Sequence, residues 1–232
     1  MQNLAENIWV HEDAMTMMGA PMRLRMTVVK LASGKLWVHS PTQLQPQLKT
    51  GIEQLGEVGF IVGPNNAHNL WLKQWHEAFP SAALYVSPGT PKKLQLPETE
   101  YMVLDQLSAR IWSEDFDSVY MGNTPLFHET NFLHKASRSL IVTDFIQNHN
   151  GPTPAGLAGL VTRCVFRPLG FKGLCTAPPL NMGFMVKDKL AFADYVNTLR
   201  GWDFDRIVVT HGDIIEENAK QVLLELSGKF LK

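Results

Sequence analysis

Four polar segments follow short apolar runs, and their residue types could do chemistry together. Trp37-Val38 leads into His39-Ser40-Pro41, and Phe60-Ile61-Val62 leads into Gly63-Pro64-Asn65-Asn66-Ala67-His68-Asn69. Ile141-Val142-Thr143 leads into Asp144, and Val208-Val209-Thr210 into His211-Gly212-Asp213. Open α/β folds bind ligands just beyond the carboxyl ends of their strands. If these strands are neighbours, three histidines and a carboxylate meet on one rim. Imidazole with carboxylate suits Zn²⁺, and two histidines with one carboxylate also form the facial set of non-haem Fe²⁺ sites. The competing reading is that each histidine only ends its strand and Asp144 only caps a turn. Spacing does not decide between them, because 76 residues separate His68 from Asp144 and 67 separate Asp144 from His211.

The elements that must position these residues can be read from hydrophobic periodicity. Asn7–His11, Leu24–Leu31, Lys35–Val38, Val58–Val62, Ala83–Val86 and Tyr101–Leu104 read as strands. So do Ser118–Met121, Thr130–Leu133, Leu140–Thr143 and Arg206–Thr210. Helices are predicted over Gln47–Leu55, His68–Phe79, Leu157–Val165, Lys187–Leu199 and Ile215–Phe230. Strands first, then β–α alternation, then strands and a closing α–β–α describe a mixed sheet, or a pair of sheets, covered by helices. The economical organisation is one domain over residues 1–232, with a Gly- and Pro-rich helical insert at 151–186.

Composition narrows the classes. The chain has 232 residues, 45% of them hydrophobic and 19% charged, which is ordinary for a globular protein. Lys and Arg total 21 against 22 acidic residues, so a nucleic-acid partner or an anionic membrane surface is not expected. No apolar run approaches the roughly 18 residues of a membrane span. Residues 1–7 lack the basic and apolar regions of a secretory signal. Two cysteines, Cys164 and Cys175, with no CxxC pair, suggest free thiols in a reducing cytoplasm.

In this order the motifs resemble the metallo-β-lactamase superfamily, and more narrowly its DUF4336 branch. The residues that carry the resemblance are Leu36-Trp37-Val38-His39-Ser40-Pro41, Pro64-Asn65 with His68, Glu129 with His134, Ser137-Arg138-Ser139-Leu140-Ile141, and Asp144. It extends over roughly residues 4–215. The resemblance implies an αββα sandwich with metal ligands at one edge of its two sheets. By position it places the bridging carboxylate on Asp144, the last histidine on His211, and the hairpin histidine on His128 or His134. The superfamily's His-x-His-x-Asp-His motif is altered, since Pro64, Asn66, His68 and Asn69 stand at its four ligand positions. Two-metal hydrolysis requires ions about 3.5–4 Å apart on bridging ligands, and this donor set does not supply that.

One Zn or Fe on His68, Asp144, His211 and either His128 or His134 is therefore expected, with His39 and Asn66 behind the ligands. Glu129 is a candidate for proton transfer beside Asp144, although a surface glutamate at a strand edge is the simpler reading. The expected function is metal-dependent hydrolysis of an ester, amide or lactone in a small-molecule substrate. The alternatives are non-haem iron redox chemistry and a non-catalytic module that binds a small molecule or a partner. Of ten methionines, Met1, Met15, Met17, Met18, Met22 and Met26 fall in the first 26 residues. They are expected mainly in the core, with an adaptable lip over a pocket as the alternative. Trp71, Trp75 and Phe79 share a helical face and read as core, Arg138 as a turn residue, and Arg163, Arg167 and Lys172 as solvated.

Overall fold

Alternation along the strands separates three apolar layers. Leu36 and Val38 pack with Ile61, Leu84, Leu48, Ile52 and Trp75, whereas Trp37, between them, packs with Val62, Tyr85, Phe132 and Ile141. Successive strand side chains point to opposite faces, so the first group covers a sheet's outer face with helices and the second joins two sheets. A third layer, with Leu140, Val142, Ile207 and Val209, packs against Phe192, Val196, Leu199 and Leu223 of the C-terminal helices. Helix, sheet, sheet, helix is the resulting order: an αββα sandwich.

This architecture comes from a computed structural model, which describes residues 1–122, 124, 128–181 and 186–231. The first sheet runs in sequence order through β1 (Gln2–Ala5), β2 (Ile8–Met17), β3 (Ala20–Lys30), β4 (Leu36–His39), β5 (Val58–Gly63), β6 (Ala83–Val86) and β7 (Met102–Val103). Strands β1 to β4 pair antiparallel and β4 to β7 parallel. The parallel crossovers carry α1 (Pro46–Leu55), opened by Pro46, α2 (Leu72–Ala78) and α3 (Pro91–Leu94).

The second sheet contains β8 (Phe116–Met121), β9 (Glu129–His134) and β10 (Ser139–Val142). Beyond it β11 (Gln147–His149) pairs with β12 (Gly173–Cys175) around α4 (Gly156–Val161), one π-turn and α5 (Arg167–Leu169). This is most of the segment expected as an insert; its residues 182–185 lie outside the described residues. Next comes α6 (Lys189–Gly201), whose cap Asp188 accepts from the Ala191 N–H at 3.0 Å. The last strand, β13 (Arg206–Val209), joins the second sheet parallel to β10, and α7 (Ala219–Ser227) closes the chain.

Two register facts position the site. In the β10–β13 pair Val142 faces Val209, so Asp144 and His211, each two residues farther on, leave the sheet side by side. In the antiparallel β9–β10 pair Ile141 faces Phe132, which brings the start of β9, at Glu129, to the same rim.

Candidate metal centre

His68, Asp144 and His211 converge from both sheets: His68 from the loop after β5, the other two from beyond β10 and β13. His68 Nε2 lies 3.4 Å from Asp144 Oδ2, His211 Nε2 lies 3.4 Å from Asp144 Oδ1, and the two Nε2 atoms are 3.3 Å apart. Each imidazole is turned inward by a bond at its other nitrogen. His68 Nδ1 meets Ser40 Oγ at 2.9 Å, and His211 Nδ1 donates to the Arg23 carbonyl at 2.9 Å. The Arg23 bond requires a proton on Nδ1, which leaves the Nε2 lone pair of neutral His211 facing the centre.

Asp144 is fixed just as closely. Asn65 Nδ2 donates to Oδ2 at 2.9 Å and Gln147 Nε2 to Oδ1 at 2.9 Å. The amide oxygen of Gln147 in turn meets His149 Nε2 at 2.7 Å. Burial alone would raise the Asp144 carboxyl, but His68 and His211 outweigh it and hold the group well below the usual range. Burial pulls His211 down, and Asp144 more than reverses this, so His211 is raised.

These donors fit one small cation. Zn²⁺ takes imidazole and carboxylate at about 2.0–2.2 Å in tetrahedral sites, and a tetrahedron with bonds of about 2.05 Å has edges of about 3.3–3.4 Å. An octahedral set at the same bond length would have edges nearer 2.9 Å. The 3.3 Å between the two Nε2 atoms matches the tetrahedral edge, and each nitrogen faces its own oxygen of Asp144 at 3.4 Å. Three protein donors also leave a coordination position, and the cluster borders a cavity of about 340 Å³.

Three expected participants lie elsewhere. His134 sits at the far end of β9 from Glu129, five residues or about 17 Å along the strand; its Nδ1 pairs with Ser137 Oγ at 2.7 Å and its ring packs on Phe116. His128 stacks on Tyr120 and meets its hydroxyl at 2.7 Å. Asn66 accepts from the His128 backbone N–H at 3.2 Å rather than supporting the cluster.

Glu129 is not a surface residue. It is fully buried and accepts from the backbone N–H groups of Thr143, Asp144 and Phe145, and from Asn65 and Asn131. It shapes the turn that presents Asp144 and does not line the cavity, so its geometry is that of a positioning group rather than a proton carrier. Burial and the neighbouring Asp144 charge push its carboxyl up.

His39 lies behind the cluster, fully buried and stacked on Trp37 at 5.1 Å. Neither ring nitrogen has a hydrogen-bond partner among the described residues. Burial, aided by His68, lowers it to about 3. Asn65 carries part of the family resemblance but was assigned no role at the site, and Gln147 was not singled out in the sequence. Asn65 had a signal, since it lies two residues beyond the end of β5, whereas Gln147 reaches Asp144 only through the turn that Glu129 holds.

The sequence matches the family described as "Domain of unknown function (DUF4336)" over residues 5–160. The chain belongs to the DUF4336 family. No protein of curated function matches it. Among solved structures, this DUF4336 protein is similar to a metallo-β-lactamase from Erythrobacter litoralis with β-mercaptoethanol in its active site, at 14% identity, covering 98% of this chain and 95% of that one, with a TM-score of 0.63. It is also similar to the DIM-1 metallo-β-lactamase (12% identity, 98% and 96% coverage, TM-score 0.61). A third match is a metallo-β-lactamase from Pontibacter korlensis (10% identity, 97% and 96% coverage, TM-score 0.59). At these identities the likeness establishes the fold: a divergent branch of the metallo-β-lactamase architecture. Among the described residues no helix is long and apolar enough to cross a membrane.

Proposed function

We propose that this DUF4336 protein is a metal-dependent hydrolase that holds one zinc ion on His68, Asp144 and His211 and cleaves an ester, amide or lactone bond in a small molecule. The observation that carries this reading is the pair of Nε2 atoms, directed inward about one tetrahedral edge apart, each 3.4 Å from its own oxygen of the buried Asp144 carboxylate. A divalent cation in such a set polarises a carbonyl oxygen and lowers the pKa of a water molecule. The chain's own residues do the rest. Ser40 and the Arg23 carbonyl orient the imidazoles, Asn65 and Gln147 fix the carboxylate, and Glu129 holds the turn that carries it. The unpaired Cys164 and Cys175 support a cytoplasmic setting.

Metal analysis of protein purified without a metal-affinity tag tests the proposal. One equivalent of zinc is expected, and His211→Ala is expected to lose most of it while remaining folded. One equivalent of iron would move the assignment to redox chemistry. A folded chain that takes up no metal would leave a non-catalytic binding module.

A further inference from the structure

The cavity beside the cluster has a chemical character that the three ligands do not determine. Its volume is about 340 Å³, in the range of small-molecule sites. Met15, Met17, Met22, Trp71, Phe171 and Pro179 form much of its wall. Its polar lining apart from the cluster is neutral: Ser40, Thr42, Asn69 and Gln147. Among the described residues the lining contains no lysine and no arginine.

Strand alternation explains why. Met22 and Leu24 of β3 face the cavity, while Arg23 and Arg25 alternate to the other side. There Arg23 is held by Glu12 and Asp213, and Arg25 by Glu12 and the Val209 carbonyl. The β2–β3 hairpin stands over the cavity as a lip. Met15 and Met22 are cross-strand partners, and the turn Met18-Gly19 has φ of 51° and 84°, the positive values of a tight type I′ turn.

Resting on the metal-centre reading above, we propose that the cavity takes the uncharged, apolar acyl group of a neutral ester or lactone. A carboxylate or phosphate on that group, away from the metal, would be desolvated with no lysine or arginine in the lining to meet it. The reaction consumes one water: its oxygen bonds to the acyl carbon, the acyl C–O bond breaks, and the departing alcohol oxygen takes a proton.

The test uses zinc-loaded protein with p-nitrophenyl acetate, butyrate and hexanoate, and with mono-p-nitrophenyl succinate as the anionic counterpart. Expected is a rise in kcat/KM of roughly fourfold per methylene (about 0.8 kcal/mol), with the succinate at least tenfold below the butyrate. Met15→Arg is expected to narrow that gap. A separate arm measures binding of the neutral fluorophore N-phenyl-1-naphthylamine to zinc-free protein. Met22→Glu should weaken this binding at least tenfold, and Met22→Leu should retain it. Equal rates for the three esters, a succinate as good as the butyrate, or no naphthylamine binding would each overturn the proposal. Failure of the metal-centre reading looks different: no zinc uptake and no ester turnover, with naphthylamine binding intact. That result removes the ester and keeps only an apolar ligand.

Discussion

Glu129 shows how far a residue's environment can depart from the reading of its position. The sequence places it beside a strand end, where a solvated carboxylate is the ordinary expectation, yet its two oxygens collect three backbone and two amide donors with no exposure. Glu129→Gln would turn two hydrogens toward that ring of donors. It is expected to reduce stability by about 2–4 kcal/mol, a fall in Tm of roughly 5–15 °C for a chain of this size. A proton-transfer role would instead lower kcat and leave Tm unchanged, so calorimetry with kinetics separates the two. His39 gives a pH-dependent counterpart. Its pKa is about 3 when folded against an ordinary 6.5, so between these values the unfolded chain binds one more proton and stability falls as the pH drops. Relative to His39→Leu, the native protein should lose about 1.4 kcal/mol more per pH unit across this window. Urea titrations at pH 7 and 4.5 read the difference.

At the scale of elements, the strand ends were legible because β10 and β13 are short continuous apolar runs, and their parallel register then puts Asp144 beside His211. The hairpin histidine was not legible. Only the length of β9 reveals that His134 is at the wrong end, and only the packing on Tyr120 shows where His128 turns. The β2–β3 hairpin was read too short, since Met18 gives no usual sign of a left-handed turn residue. Met15, Met17 and Met22 therefore line a cavity, whereas Met26 fills the core as expected, and Trp71 both packs against the core and lines the cavity. The loop carrying His211 depends on Gly212, which has φ of 95° and abuts β11: the Asn148 N–H donates to the His211 carbonyl at 3.0 Å, and Asp213 N–H donates to the Asn148 carbonyl at 3.0 Å. A Cβ on Gly212 would overlap that Asn148 carbonyl. Gly212→Ala is expected to destabilise the fold by about 2–4 kcal/mol and to lower zinc occupancy, both readable on one purified sample by thermal melting and metal analysis.

Across the whole molecule, the two sheets meet over one apolar layer and again at the cluster, where His68 belongs to one sheet's loops and Asp144 and His211 to the other's. A cation held there cross-links the halves of the sandwich. At a free concentration one hundred times its Kd, zinc is expected to add about 2.7 kcal/mol, raising Tm by roughly 5–11 °C; melts with and without chelator measure it. An unchanged Tm would mean that the ion, if bound at all, does not select the native arrangement. The hairpin lip has a consequence of another kind. Met18, at its tip, is 68% exposed, and thioethers are oxygenated by peroxide to sulfoxides that reductases can restore. Sulfur thus makes the rim's greasiness a reversible property, one that leucine or valine in the same places would have made permanent.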